Sequence, residues 1–301
     1  MSYQSFEAVI NICRKEKKEF WQVIMEDDMS ERGVTYEESM EQMRDTWDAM
    51  LLASATYEEQ LKSASGLAGG DGGKMEKYQK EAGQASFCGE YIGGCIAAAL
   101  QMGESNACMK RIVAAPTAGA CGVLPAVLVP YFQRRCRNTE KILKAMYTAA
   151  GIGQIIASRA YISGASGGCQ AEIGSASSMA AGALVCLQDG DCEQIANAAA
   201  MAMKSLLGLV CDPVAGLVEV PCVKRNVIGT VNALSCADMA MAGIVSRIPP
   251  DQVIDAMKEV GDKMDASLRE TALGGLARTP AGIEAAKRVT GELEEKELEL
   301  R

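Results

Sequence analysis

The chain has 301 residues, of which 49% are hydrophobic, and a formal net charge of −9. This length is compatible with one large domain, and the negative charge argues against nucleic acid or an anionic membrane as a partner. Histidine is absent, which excludes Ser-His catalysis and metal sites built on His. Twelve cysteines without a secretory signal predict a cytoplasmic protein whose cysteines bind metal or act in catalysis rather than form disulfides.

Apolar residues recur at helical spacing through most of the chain, and strand-like alternation is scarce. In the second of the predicted helices a single stripe of Met40, Met43, Trp47, Met50 and Leu51 indicates a core-facing side. The predicted helices cover residues 5–27, 36–61, 87–102, 140–161, 176–188, 193–209, 223–246 and 251–268, with two more starting at Val123 and Pro280.

No linker or internal repeat divides this pattern. The sequence therefore predicts an all-α fold with one compact catalytic domain, residues 1–290, and a charged C-terminal tail, residues 291–301. The longest apolar run, residues 112–132, contains three prolines and several glycines, so we expect core segments there and no membrane span.

Two Gly-rich segments interrupt the helical pattern. Residues 63–74 read SASGLAGGDGGK, and Ala68 and Met75 stand where phosphate-loop and dinucleotide motifs require other residues. Such a loop exposes backbone N–H groups and suits a small carboxylate, with an ordinary solvent turn as the alternative. Residues 116–122 form the second loop. The predicted substrate-binding residues of the two loops are Ser63, Ser65, Gly69, Asp71, Thr117 and Gly119.

Three of the twelve cysteines, Cys169, Cys211 and Cys222, stand beside Gly or Pro at spacings of 42 and 11 residues. This spacing matches neither a zinc ribbon nor a ferredoxin run. We interpret them as loop thiolates around a common pocket that hold an iron–sulfur cluster, with a three-cysteine zinc site as the alternative. A four-iron cluster with three protein ligands leaves one iron open as a Lewis acid. Most of the other cysteines are predicted to be small buried hydrophobes, among them Cys13, Cys95, Cys186 and Cys236.

Four motifs in order, SASGLAGGDGGK, APTAGACGVLPA, SGASGGCQAEIGSASSMAA and CDPVAGLVEVPCVKRN, resemble the iron–sulfur-dependent bacterial L-serine dehydratases, and within them the alpha subunit of the two-chain form. The resemblance covers roughly residues 60–290. It implies that Cys169, Cys211 and Cys222 ligate a [4Fe–4S] cluster in a mostly helical domain. It also implies a separate beta subunit that completes the site and a place in amino-acid catabolism and gluconeogenesis. Further homo-oligomerisation is left open.

The implied reaction is conversion of L-serine to pyruvate and ammonia. Serine must lose its Cα proton and its Cβ hydroxyl, and coordination of that hydroxyl to the open iron stabilises the leaving oxygen. We assign the base to Lys74 or to a His of the partner, and expect Asn226 to hydrogen-bond substrate or a cluster sulfur. The alternatives are cluster-dependent removal of sulfide from L-cysteine and a non-catalytic metal or redox sensor.

Overall fold

The computed structural model describes residues 3–299, except for the side chains of Gln84 and residues 292–299. The described part contains thirteen α-helices and no strand, which confirms the all-α prediction. In chain order they are α1 (Phe6–Glu16), α2 (Phe20–Arg32), α3 (Tyr36–Ala55), α4 (Asp71–Ala82), α5 (Gly89–Ala107), α6 (Val123–Arg134), α7 (Thr139–Arg159), α8 (Gly164–Gly167), α9 (Cys169–Leu187), α10 (Cys192–Lys204), α11 (Cys222–Met241), α12 (Pro250–Lys263) and α13 (Pro280–Glu299).

Helix α9 lies at the centre of the fold. All its residues are buried except Glu172 and Cys186, which are half-buried. Its main neighbours are α7, α10 and α11, with α6 next to it as well. Small residues along α9 and α10 allow these helices to approach closely. Because α9 is buried on nearly every side, it carries its first residue, Cys169, into the interior too.

The stripe predicted on α3 faces the core. Met40, Trp47 and Met50 are buried, and the Trp47 ring meets the Phe132 ring edge-on, with centroids 5.5 Å apart and planes at 77°. This geometry is favoured for aromatic pairs. The helix ends at Ala55, six residues before the predicted end.

The single helix predicted for residues 5–27 is wrong, because the chain forms two helices there. Lys17 adopts a left-handed backbone, φ 54°, and its N–H bonds to the Cys13 carbonyl, which ends α1. A capping box between Glu19 and Gln22 then starts α2. The break lets the chain turn back so that the Phe6 and Phe20 rings pack, 6.1 Å apart. Apolar periodicity alone did not reveal the break, because it continues across the charged residues between the two helices.

Two further boundaries matter for the site. Helix α4 begins at Asp71, inside the segment predicted as a loop. Helix α9 begins at Cys169, seven residues earlier than predicted. The predicted start of α13 at Pro280 is confirmed, and the Thr279 hydroxyl accepts a hydrogen bond from the Gly282 N–H at 3.1 Å. Among the helices described, none combines the length and the apolar character that a bilayer crossing requires.

Candidate active site

The three cysteines singled out by the sequence do not lie in exposed loops. Cys169 and Cys222 are the first residues of α9 and α11. Cys211 lies in an extended segment, where its N–H and carbonyl bond to Leu268 and Glu270, both at 2.8 Å. The three residues are only 1%, 3% and 5% exposed. This corrects the prediction of loop thiolates, and it places two of the thiols at helix N-termini, where the helix dipole favours a negative sulfur.

The structure brings the three thiols close enough to act on one another. A hydrogen bond from Cys211, with help from the Arg225 charge, lowers the pKa of Cys169. The same hydrogen bond, followed by burial, raises the pKa of Cys211. Burial raises the pKa of Cys222 to about 12, and the charges of Cys169 and Glu172 add to the effect. One thiolate is therefore favoured, and burial and repulsion oppose the second and third unless a cation joins them.

The three thiols are the residues of this site that could hold a metal group, and their soft sulfur donors suit an iron–sulfur cluster or zinc. Within residues 3–299 no group of three or more His, Cys, Asp or Glu residues is arranged to hold one metal ion, so the iron–sulfur cluster and the zinc site both stay predictions. In an iron–sulfur cluster each thiolate binds a different iron, so its ligands need not converge on one point. A metal centre also deprotonates coordinating thiols, which would offset the raised pKa values of Cys211 and Cys222.

A half-buried carboxylate lies beside the thiols and was not predicted as a functional residue. Glu172 lies in the first turn of α9. The Thr117 hydroxyl donates a hydrogen bond to it, and a Cβ added at Gly119 would lie 2.7 Å from its Oε1. Burial raises the pKa of Glu172 despite the Thr117 hydrogen bond, and the charge of Glu270 adds to the rise. Thr117 and Gly119, both predicted to bind substrate, thus surround a carboxylate with raised proton affinity.

Asn226 is buried and fully engaged with backbone groups. Its Nδ2 donates to the carbonyls of Gly119 at 2.8 Å and Cys222 at 3.0 Å, and its Oδ1 accepts from the Gly122 N–H at 2.8 Å. The side chain therefore fastens the second Gly-rich loop to the start of α11. This geometry supports a positioning role, in place of the predicted contact with substrate or cluster sulfur.

In the first Gly-rich segment, Ser63 and Ser65 are buried and bind a carboxylate of the protein itself. Their hydroxyls donate to Glu219 Oε2 at 2.7 and 2.5 Å, and they accept the N–H groups of Ala68 and Leu67. Glu219 lies three residues before Cys222. The serines thus anchor the loop to the segment that joins the second and third cysteines.

Glu104 occupies the N–H groups at the end of the same loop. Its carboxylate accepts from Asp71 N at 2.6 Å and Gly72 N at 3.2 Å, as an anion at the start of a helix does. The sequence predicted a substrate carboxylate for the N–H groups of this loop, and that assignment stays a prediction. The carboxylate that they meet in this structure belongs to α5, and a substrate bound here would have to displace it.

The remaining residues predicted in this loop lie toward solvent. Lys74 is 73% exposed in its side chain and pairs with Asp71 at 2.8 Å. Asp71 pairs with Lys224 as well, and the two lysines lower the pKa of Asp71 to about 2. The Gly69 carbonyl accepts from the Lys62 ammonium. Because Asp71 raises the pKa of Lys74, this amine is held protonated and is a poor base.

The other cysteines mostly follow the prediction. Cys13, Cys95 and Cys236 are buried, and Cys186 is half-buried. Cys13 also forms a hydrogen-bonded thiol pair with Cys192, the first residue of α10. This second pair joins α1 to the start of α10.

A cavity of about 860 Å³ lies elsewhere, among α3, α4, α5 and α6. Its lining includes Glu76, Gln79 and Arg134 but none of the predicted site residues. The thiols are therefore not at the wall of this wide cavity. Cys169 and Cys222 lie where α9 and α11 begin, and Cys211 pairs with the segment around Glu270.

The fold and the site together define an all-helical chain in which three buried thiols lie beside the half-buried carboxylate of Glu172. The family model described as "Serine dehydratase alpha chain" matches residues 15–277. The chain is also 43% identical over 289 residues to the "Probable L-serine dehydratase, alpha chain" of Bacillus subtilis (strain 168), covering 96% of each protein. The chain therefore belongs to the serine dehydratase alpha chain family.

Two other relatives differ in how much of their own length the match covers. The "L-serine dehydratase, alpha chain" of Peptoniphilus asaccharolyticus is 40% identical over 274 residues, covering 91% of this chain and 94% of the relative. The "L-serine dehydratase TdcG" of Escherichia coli (strain K12) is 48% identical over 181 residues, covering 60% of this chain and only 40% of that protein. The longer relative thus has most of its length outside the match.

Proposed function

We propose that the chain is the alpha chain of an L-serine dehydratase, a lyase that converts L-serine to pyruvate and ammonia with an iron–sulfur cluster. The observation that carries this proposal is the grouping of Cys169, Cys211 and Cys222 beside Glu172. Membership in the family supports the reaction, and the soft thiol donors support the cluster. Twelve cysteines free of disulfides fit a reducing compartment such as the cytoplasm.

Cys169, Cys211 and Cys222 would hold the cluster. When bound, it would supply a Lewis-acidic iron that polarises the substrate hydroxyl and stabilises negative charge on the leaving oxygen. The chain's own contribution is to bury this centre, which strengthens every electrostatic interaction within it. The start of each helix directs backbone N–H groups toward its cysteine.

We propose Glu172 as the group of this chain that takes up the substrate Cα proton. Its position beside the thiols, its partial burial and its raised pKa suit a general base, because a pKa nearer to neutrality improves proton transfer. The Thr117 hydroxyl fixes one carboxylate oxygen and leaves the other to act. Thr117 and Gly119 remain our proposed substrate contacts. The assignments of Ser63, Ser65, Gly69 and Asp71 stay predictions, and their present partners give them weaker support.

A second chain completes the enzyme in this proposal. Two relatives are named as alpha chains, and the longer one contains much sequence outside the match, as a fusion of two chains would. A partner could contribute a histidine, which this chain lacks. If it did, Glu172 and that histidine would share the proton transfers between them.

Sulfide removal from L-cysteine is the second candidate reaction, because a thiol could take the place of the hydroxyl at the same centre. Serine and cysteine differ in one atom, and pockets discriminate weakly between such near-isosteres. The site geometry therefore does not separate them. The half-buried carboxylate Glu172, in contrast, favours an enzyme over a redox sensor, since a sensor has no need of a proton acceptor.

The test is anaerobic co-purification of the chain with its partner subunit, followed by assays of pyruvate from L-serine and from L-cysteine. Iron and acid-labile sulfide are measured in the same sample. We expect pyruvate from L-serine in proportion to bound iron and inactivation by oxygen. Pyruvate formation that is independent of iron, or no reaction of L-serine in an iron-loaded sample, would contradict the proposal.

A further inference from the structure

One buried guanidinium connects all three cysteine positions. Arg225 lies one turn after Cys222 on α11. Its Nη1 donates to Cys169 Sγ at 3.4 Å and to the Val210 carbonyl, immediately before Cys211, at 2.8 Å. The side chain therefore starts from the helix of one cysteine, contacts the sulfur of the second and holds the backbone beside the third.

The residue on the other side of Cys211 belongs to the same network. Arg225 Nη2 donates to Asp212 Oδ1 at 2.8 Å, and the two side chains are 13% and 4% exposed. Asp212 Oδ2 accepts the Leu276 N–H at 2.8 Å. Both neighbours of Cys211 are thus bonded to Arg225, and Asp212 extends the connection to the segment before α13.

An ammonium group could not reproduce this arrangement. The guanidinium presents several N–H donors in a fixed plane, so that one side chain serves a carbonyl, a sulfur and a carboxylate in different directions. A lysine has a single charged nitrogen on a flexible chain. A buried ion pair adds little stability by itself after desolvation, so the directed contact with Cys169 indicates a role beyond stability.

We propose that Arg225 is the positioning residue that sets the spacing of Cys169, Cys211 and Cys222 for the metal group. The inference rests on the proposed function for the identity of that group. The spacing of the thiols is a property of the chain itself, and it can be measured without metal.

The variant is Arg225→Lys, and the matched control is Arg159→Lys. Arg159 also forms an Arg–Asp pair, with Asp255 at 2.7 Å, but on the surface between α7 and α12. Both variants lose a guanidinium and keep a positive charge. Anaerobic reconstitution with iron and sulfide should leave Arg159→Lys like the parent, whereas Arg225→Lys should bind iron roughly 10–100-fold more weakly.

The metal-free measurement uses the two thiol pairs of the same chain. Diamide oxidises the iron-free protein, and mass spectrometry of its peptides compares the Cys169–Cys211 disulfide with the Cys13–Cys192 disulfide as internal reference. In Arg225→Lys the ratio of the Cys169–Cys211 disulfide to the Cys13–Cys192 disulfide should fall roughly tenfold or more. The reason is that disulfide formation between two thiols depends steeply on their geometry. The reference pair should form as it does in the parent.

A folded Arg225→Lys protein with unchanged iron binding and an unchanged disulfide ratio would overturn the inference. If that variant does not fold, Asp212→Asn is tested in the same two ways. It should lower both the iron binding and the Cys169–Cys211 disulfide ratio, because Arg225 Nη2 loses its carboxylate partner. If the parent binds no iron, the proposed function fails, while the disulfide ratio still decides whether Arg225 sets the thiol spacing.

Discussion

Glu172 is a carboxylate that the fold holds half-buried beside the thiols of the site. Its described interactions are with the Thr117 hydroxyl, the Glu270 carboxylate and the thiols of the site. Such a group costs stability when it is ionised. Functional sites often carry this kind of local destabilisation, and its presence beside the cysteines is the reason to assign Glu172 a chemical role.

We predict that Glu172→Gln lowers the rate of pyruvate formation by about 10²–10⁴-fold, the usual loss for a general base. The iron content should not change, because Glu172 is not one of the proposed ligands. The rates are measured with the complete enzyme at saturating L-serine. A variant that retains the parent rate would remove Glu172 from the mechanism.

The same substitution should change the pH dependence of stability. The pKa of Glu172 is raised in the folded chain by burial, so the folded state holds this proton more tightly than the unfolded state does. The contribution of Glu172 to the free energy of unfolding therefore falls as pH rises from the ordinary Glu pKa through the raised value. Glu172→Gln should melt at an equal or higher temperature than the parent at pH 8, with a smaller gain at pH 5.

The control for this pH effect is Glu259→Gln on the exposed face of α12. Lys263 lowers the pKa of Glu259 through a hydrogen bond, so the substitution should bring no gain at pH 8. Melting curves of the iron-free chain at both pH values give the comparison. A lower melting temperature of Glu172→Gln at pH 8 would contradict the assigned shift.

At the level of elements, the site is built at the starts of α9 and α11. The sequence identified Cys169 and Cys222 from the Gly and Pro before them, but those residues also precede helices. Residues three apart on a helix share a face, which places Glu172 beside Cys169 and Arg225 beside Cys222. With the helix starts known, these two residues could have been predicted. Contacts such as Thr117 with Glu172 could not, because they depend on how distant helices pack.

Asn226 joins two of these elements, and its removal tests the connection. Asn226→Ala leaves the buried Gly122 N–H and Gly119 carbonyl without their partner, which should lower the free energy of unfolding by about 1–3 kcal/mol. Urea denaturation of the iron-free chain measures the change. Ser235→Ala, on the exposed face of the same helix, should stay within about 0.5 kcal/mol of the parent. Equal stability of the two variants would contradict the role of Asn226.

Over the whole molecule, the core depends on helices that approach α9 closely. Gly229 lies where α11 meets α9 and α6, and a Cβ there would lie 2.9 Å from a methyl of Ile173 and 3.0 Å from a methyl of Val123. The 30 glycines of the chain favour close packing of helices in general. The particular neighbours could not be derived from the sequence, since helix periodicity does not say which faces meet.

Gly229→Ala should therefore destabilise the chain by about 1–3 kcal/mol through overpacking. The matched control is Gly174→Ala on α9, where an added Cβ meets nothing within 4 Å. That substitution should stabilise the chain by about 0.5–1 kcal/mol, as Ala does in a helix interior. Chemical denaturation of both variants measures the difference, and the same sign for both would contradict this description of the core.

The central claim is that Cys169, Cys211 and Cys222 hold a metal group together. Its most direct test is the iron and acid-labile sulfide bound per chain after anaerobic reconstitution of each Cys→Ala variant at these positions. Cys186→Ala, the half-buried cysteine of α9, is the control. We predict loss of iron and sulfide in each of the three variants and parent values in Cys186→Ala. Full iron and sulfide in any one of the three, or their loss in Cys186→Ala, would contradict the account.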